Sequence, residues 1–419
     1  MGKIPAELIA IAKTTFDLTE ASAQQHLYQL TDALLELPDL TLADLQTQSG
    51  PDAPLELRLA TKLVASRWAM QRIKRTVQVG VVLSMWGEQN RLYPKSADNP
   101  NGEDALRIKL EQLRWISQGM PIQWTLYAVD DGCPHGSGRI VQEIVADHPQ
   151  VKVFFLDDVI PTDEPALAKL ASVNDSGKGG AIILGCQQAL ADGMEAVIYT
   201  DADSSVHLGQ IGLLLEPFVA GYKVVLGNRK CLESVLVKEE ARWGIGIKVL
   251  RHMQRMIGQA IFSQGIRDTQ AAFKLYSRDV LQAILQNPTV YDFSFDTDWL
   301  LAVIVMQEPM KLVPFAFIDS AAESTSIVQG PMNTWECLLL GLLEAVRARQ
   351  IPHNEAMAQV LDEEIQSYKD LELLINHLPP ELESATEADL GDPAVMSPQA
   401  LQVWIKKQRI VDSEIVNSE

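Results

Sequence analysis

Two carboxylates one residue apart, Asp201 and Asp203 with Ala202 between them, close a short apolar run at 196–199. That run has the length and composition of a buried β-strand, and in an open α/β sheet ligands bind outside the carboxyl ends of the strands. Carboxylates at i and i+2 leaving a strand can both turn toward one hard cation, which prefers oxygen ligands. A divalent ion there would neutralise the diphosphate of a nucleotide substrate and of the leaving group. The chemistry this suggests is transfer of a sugar from a nucleotide-sugar donor. The same residues also suit a solvated turn and a helix cap, so the neighbouring motifs must decide.

Several do bear on that choice. Asp130, Asp131 and Gly132 end another apolar run. A carboxylate there can accept the N3–H of uracil or the ribose hydroxyls, and a glycine lets the backbone turn; a plain strand-to-helix turn is the alternative. Glu88, just past a first strand, could take a ribose hydroxyl and Trp86 could stack on the base. Lys178 in Gly177–Gly180 places a cation and backbone N–H groups at a helix start, an anion site. It is not a P-loop, because Ser172 stands where the first glycine belongs and Gly179 follows the lysine. Arg229 and Lys230 follow a strand and Gly227 and could hold diphosphate. Asp296 and Asp298 flank Thr297 at an apolar helix start, where either a catalytic base or a capping carboxylate fits. Asp268, ahead of Thr269 and Gln270, is ambiguous in the same way. His207 reads as a helix-face residue rather than a further metal ligand, and no histidine pair has metal spacing.

These residues need a frame. Strands are expected at 77–84, 124–129, 151–156, 196–199 and 223–226, alternating with helices at 106–117, 136–147 and 177–191. Short connections between them predict a parallel sheet with helices on both faces. Residues 5–75 read as helical, a cap on the sheet domain or an oligomerisation surface. Beyond 235 the pattern turns helical again: a helix from Trp243 to 262, a loop and strand over 265–276, a helix entered at 293–301, a late strand at 311–317 and an apolar helix at 334–349. The stretch 377–398 reads as a loop or linker.

Composition narrows the class. Of 419 residues 47% are hydrophobic and 21% charged, ordinary for a folded chain with two or three structural units. A formal net charge of −20 argues against nucleic acid as a partner and against broad docking on anionic lipid. Residues 353–419 carry 14 acidic and 4 basic residues, half of that excess. Cys133, Cys186, Cys231 and Cys337 are widely spaced and fit free thiols in a reducing compartment. The apolar runs at 299–306 and 337–343 are shorter than the roughly 20 residues a bilayer requires. The expected location is cytoplasmic, soluble or at most peripheral to a membrane.

The order of the motifs is more telling than any one of them. The chain resembles the family 2 glycosyltransferases of GT-A fold, and most of all the dolichyl-phosphate glucosyltransferase type. The segment from Ser84 to Leu92 stands in for Pro-x-Tyr-Asn-Glu-Glu-x-Arg-Leu, and Val129–Gly132 for Val-Asp-Asp-Gly. Gly177–Ala181 matches Gly-Lys-Gly-Gly-Ala, Asp201–Asp203 matches Asp-Ala-Asp, and Gly227–Arg229 stands for Gly-Ser-Arg. Asp268–Leu275 matches Asp-Thr-Gln-x-Gly-Phe-Lys-Leu with Ala272 in place of glycine, and Phe295–Leu301 is similar to Phe-Asp-Val-Glu-Leu-Leu with one residue more. The match runs in order over roughly 77–320.

The resemblance implies a GT-A, Rossmann-like domain over 76–320 and leaves outside it a helical extension over 1–75 and a helical, acidic extension over 321–419. It implies a hexosyltransferase using a UDP-sugar, with Ser84, Trp86, Glu88, Asp130, Asp131, Lys178, Asp201, Ala202 and Arg229 on the nucleotide sugar. Asp203, helped by Asp201, would hold Mg²⁺ or Mn²⁺, and Asp296 would be the base of an inverting displacement, with Asp268 also catalytic. If the acceptor were an ionised phosphate no base would be needed. Ser84, Trp86 and Gly87 depart from the family's Pro, Tyr and Asn. Lipid-phosphate relatives commonly carry a membrane segment, and its absence here favours a soluble small acceptor such as a polyol, hydroxy acid or sugar phosphate. The alternatives are peripheral action on a lipid phosphate and a non-catalytic nucleotide-sugar sensor.

Overall fold

The computed structural model describes residues 2–238, 244–319 and 330–416. Its contacts divide the chain into two compact units. The first comprises Met1–Lys238, Ala271–Gln286 and Glu308–Ala322; the second comprises Glu239–Gln270, Asn287–Gln307 and Glu323–Glu419. The division does not follow three consecutive segments. The N-terminal helices group with the sheet, while two stretches from within 76–320 group with the C-terminal helices.

The first unit is built on a seven-stranded sheet of order β3-β2-β1-β4-β7-β5-β8. Its strands are β1 (Val77–Met85), β2 (Ile122–Asp130), β3 (Val151–Phe155), β4 (Ala196–Thr200), β5 (Val224–Asn228), β7 (Phe273–Ser277) and β8 (Met310–Pro314). All neighbours pair in parallel except β7, which runs antiparallel to both β4 and β5. The expected fold class therefore holds: a mostly parallel α/β sheet with helical extensions at both ends. β1 shows why it is central. Its valines at 77, 79, 81 and 82 are fully buried, as a strand covered on both faces requires.

Helices α5 (Ala105–Ser117) and α8 (Gly212–Val219) cover one face. Leu106, Leu110 and Leu113 of α5 and Leu214 and Leu215 of α8 share a core with Val79, Val81 and Leu83. On the other face lies α7 (Gly179–Ala191), so close that a methyl group on Gly185 would meet Val82 Cγ1 at 2.4 Å. The short α6 (Ser137–Ile144) follows β2, and α11 (Arg278–Ile284) follows β7.

Helices α1 (Ala6–Ile11), α2 (Ala21–Leu35), α3 (Leu42–Gln48) and α4 (Leu55–Arg72) form the N-terminal extension. Leu27, Leu30 and Leu34 of α2 and Leu63 and Val64 of α4 bury their apolar stripes together with Val235, Ala316 and Ile318. Those last residues belong to a two-stranded parallel ribbon of β6 (Val235–Val237) and β9 (Ala316–Ile318). The extension thus caps the sheet domain. The late strand expected at 311–317 is two strands, because Pro314 has no N–H to extend β8.

The second unit is helical: α9 (Ile247–Ile257), α10 (Gln259–Phe262), α12 (Phe295–Val305), α13 (Pro331–Ala348), α14 (Glu355–Glu364), α15 (Tyr368–Ile375), α16 (Pro380–Glu383) and α17 (Pro398–Val416). Trp243, where a helix was expected to begin, lies outside the described residues. Leu339, Leu342, Ala345 and Val346 of α13 are fully buried, so its apolar run is a core helix. Among the described residues no helix is long and apolar enough to cross a membrane. The stretch expected as a linker is a packed strap. His252 accepts from the Gly391 N–H, its other ring nitrogen lies 2.9 Å from Met396 O, and Lys248 donates to the carbonyls of Glu383 and Ala385.

Candidate active site

Because β1, β2, β4 and β5 are parallel, the residues that follow them leave the sheet at one edge. The chain runs from β1 to β2 and β3 on one side and returns to β4 on the other, which opens the crevice between β1 and β4 where such folds bind ligands. Ser84 and Trp86 lie at the end of β1, Asp130 and Asp131 at the end of β2, Asp201–Asp203 after β4 and Arg229 after β5.

The contacts bring five of the expected residues together. Lys178, the residue before α7, holds φ +93°, a region in which a side chain is strained. Its N–H donates to Asp131 Oδ2 at 2.7 Å, and Ser176 Oγ donates to Asp131 Oδ1 at 2.6 Å. The Lys178 ammonium reaches across to pair with Asp201 Oδ1. The glycine-flanked loop therefore ties the end of β2 to the end of β4. Burial pushes Asp201 up, but Lys178 reverses this and holds its carboxyl below the usual range. Burial pushes Asp131 up to about 6, against its bonds to Ser176 and Lys178.

Arg91 joins Glu88 to Asp203. Its Nε lies 2.7 Å from Glu88 Oε2, its Nη2 donates to Glu88 Oε1 at 2.9 Å, and its Nη1 is 3.7 Å from Asp203 Oδ2. Burial pushes Glu88 up to about 7, with Arg91 opposing and Asp203 adding to the rise. Asp203 Oδ1 accepts from the Ser205 N–H at 3.0 Å. Arg229 lies with its guanidinium 5.0 Å from the Phe317 ring centre and acts electrostatically on Asp201.

Asp130 is held by the fold itself. Its Oδ1 accepts from Cys133 N and its Oδ2 from Gly138 N, the bonds that seat α6. His207 is a cap rather than a ligand: Nδ1 accepts from Gly209 N at 2.9 Å, and burial lowers its pKa to about 3, with Lys109 adding to the fall. Ala202 is buried between the two carboxylates. Asp268 and Asp296 belong to the second unit, both buried, Asp296 in the first turn of α12.

Three residues that carry no motif complete the loop after β4. Glu103 Oε2 accepts from Ser204 N at 2.9 Å and Gln112 Oε1 from Leu208 N at 2.8 Å. Lys109 lies between them in sequence, on α5, 1% exposed. One signal could have found it. Leu106, Lys109, Leu113 and Ile116 form a stripe at helical spacing, and a lysine within a buried stripe has an internal task.

Among the described residues no group of three or more His, Cys, Asp or Glu is disposed around a metal position. The arrangement still fits Mg²⁺ or Mn²⁺ in the way such ions bind beside phosphates: one or two protein carboxylates, with substrate oxygens and water completing the octahedron. Asp203 and Asp201 could supply those carboxylates, and their side chains are 19% and 30% exposed.

Comparison with known proteins agrees with this edge of the sheet. Residues 163–285, which include Lys178, Asp201, Asp203 and Arg229, match the family described as glycosyl transferase family 2. A dolichyl-phosphate beta-glucosyltransferase of Trichomonas vaginalis is 25% identical over 250 residues, 57% of this chain and 64% of that one. The match thus spans slightly less than two thirds of that relative. An undecaprenyl-phosphate mannosyltransferase of Micrococcus luteus is 24% identical over 227 residues, 53% of this chain and 85% of that one. Among solved structures, glucosyl-3-phosphoglycerate synthase from Mycobacterium tuberculosis, crystallised with Mn²⁺, UDP and glucosyl-3-phosphoglycerate, aligns with TM-score 0.43 and 13% identity over 76% of this chain and 87% of that one.

The relatives correct one expectation. A soluble small-molecule acceptor was inferred from the missing membrane segment, whereas both sequence relatives are named for lipid phosphates. The inference failed because a membrane segment anchors an enzyme and does not set the chemistry of its acceptor. Residues 163–285 match glycosyl transferase family 2, and the chain is similar in sequence to the dolichyl-phosphate beta-glucosyltransferases.

Proposed function

We propose that this chain transfers a hexose from a nucleoside-diphosphate sugar to a polyprenyl-type lipid phosphate, acting from the membrane surface. The observation that carries the donor half is the meeting of Asp201, Asp203, Lys178 and Arg91 at the β1/β4 crevice, inside or beside the stretch that matches family 2. The lipid-phosphate half rests on what the relatives act on by name.

The reaction exchanges one C–O bond for another. An oxygen of the lipid phosphate attacks the anomeric carbon while the bond from that carbon to the diphosphate breaks, and the nucleoside diphosphate leaves with the electron pair. A phosphate oxygen is already ionised near neutral pH, so no base is needed and Asp296 has no proton to remove. Asp203 and Asp201 would hold a divalent cation, which when bound would neutralise charge on the departing diphosphate. Lys178 and Arg229 would add fixed positive charge beside it, and the strained backbone at Lys178 sets where that charge stands. Asp131 holds the Lys178 loop in register and, with Glu88 and Trp86, is the candidate contact for the nucleoside.

The test is incubation with radiolabelled UDP-glucose, and in parallel UDP- and GDP-sugars, with polyprenyl phosphate in detergent micelles and Mn²⁺ or Mg²⁺. Label should pass into the organic phase, and Asp203→Ala should abolish this. A folded preparation that gives no glycolipid from any of these donors would overturn the lipid-phosphate reading.

A further inference from the structure

Lys109 has no place in the family motifs, yet it is the most unusual charge near the site. Its residue is 1% exposed, and its Nζ has no hydrogen-bond partner. The sheet's other buried lysine, Lys274, donates to Tyr199 Oη at 2.9 Å and to Ala271 O at 2.7 Å. An ammonium left without bonds inside a protein is costly unless opposite charges stand close by.

Four carboxylates act on it. Burial lowers the Lys109 pKa most, and Asp203, Asp201, Glu103 and Glu88, in that order, oppose the fall. Its position on α5 explains this, because residues three apart on a helix share a face. Gln112, on that face, bonds Leu208 N, and Glu103, just before the helix, bonds Ser204 N, so Lys109 lies beneath the loop that carries the carboxylates. Other buried polar atoms without a partner line the same place: Thr200 Oγ1, Ser204 Oγ, Ser205 Oγ and Gln112 Nε2. Glu88, Glu103, Asp201 and Asp203 thus share Arg91, Lys109, Lys178 and Arg229 as protein cations.

We propose that Lys109 is a positioning residue, a resident cation behind the Asp201–Asp203 pair that competes with a divalent ion for the two carboxylates. It keeps the loop assembled when no ion is bound. It also weakens capture of a free divalent ion, so that the ion enters together with the diphosphate, whose own negative charge tips the balance. This rests on the donor half of the proposed function, in which those carboxylates face the ion.

The experiment is Mn²⁺ binding to the full chain, followed by electron paramagnetic resonance or calorimetry in the absence of nucleotide. Lys109→Met should bind free Mn²⁺ at least about tenfold more tightly than wild type, since a repelling charge has gone. Lys109→Arg should stay near wild type. If the methionine variant does not fold by circular dichroism, Lys109→Gln takes its place. A folded Met or Gln variant with unchanged or weaker Mn²⁺ affinity overturns the proposal, as that is what a purely structural lysine would give. UDP added to the wild type tests the donor reading separately: no UDP binding with or without Mn²⁺ would sink that reading, while the nucleotide-free Lys109 comparison still decides this one.

Discussion

Two carboxylate groups in this molecule are built in opposite ways. In the helical unit, Asp298 is wholly buried and fully bonded: Oδ1 accepts from Arg349 Nε at 2.7 Å and from Thr289 Oγ1, and Oδ2 accepts from Thr289 N at 2.9 Å. At the sheet edge, Asp201 and Asp203 remain partly open, and polar atoms beneath them have no partner. The first group is a finished hydrogen-bond network, which rigidifies a core. The second has charge in excess of its bonds, as expected of a place where a ligand completes the structure. Both lie next to sequence that reads as Asp-x-Asp, at 201–203 and 296–298, so the difference lies in the partners rather than in the motif.

That contrast can be broken most sharply by removing its members. Asp298→Ala should cost about 3–5 kcal/mol in a denaturant titration, because the buried Thr289 N–H and hydroxyl would lose their acceptor and the largely buried Arg349 its ion-pair partner. A loss under about 1 kcal/mol would show that the network does not hold the helices. Asp203→Ala should behave in reverse. Transfer from a nucleotide sugar should fall by about two to three orders of magnitude, while stability shifts by no more than about 1 kcal/mol. Equal damage to folding by both changes would erase the distinction.

A smaller effect comes from protons. Burial holds Glu88 up at about 7 and Asp131 up at about 6. At these two sites the folded chain therefore binds more protons than the unfolded one between about pH 4 and pH 7, and the two groups lower the unfolding free energy as pH rises through that window. Replacing Asp131 by Asn should flatten the slope between about pH 4 and pH 6. Denaturant titrations at several pH values check it, and an unchanged slope would show that Asp131 is not held in a burial-raised state. The smallest effect expected is at Lys178. Lys178→Gly relieves a positive φ and should change stability by about 1 kcal/mol or less, yet weaken UDP binding measurably by calorimetry. Unaltered UDP affinity would remove this lysine from the diphosphate.

Much of this was legible in the sequence because the physics was local. Valine-rich β1 and the apolar 196–199 run announce buried strands, and the motif residues sit where strands end. What could not be read was long-range. Nothing near Phe273–Ser277 says that β7 runs against its neighbours. Nothing near Pro314 says that Ala316–Ile318 will pair with Val235–Val237. The carboxylates at 130 and 131 were legible as chemistry, but their bonds to Gly138 N, Ser176 and Lys178 are set by the fold. The buried stripe on α5 marks Lys109 as internal, but the carboxylates that act on it come from other parts of the chain.

The bonds from Glu103 and Gln112 to Ser204 and Leu208 clamp the acidic loop at both ends, to α5 and to the residues just before it. A loop so fastened does not flap on its own. Deuterium should therefore enter those two amides as slowly as it enters the body of α5, and the crevice keeps its shape in the absence of any guest.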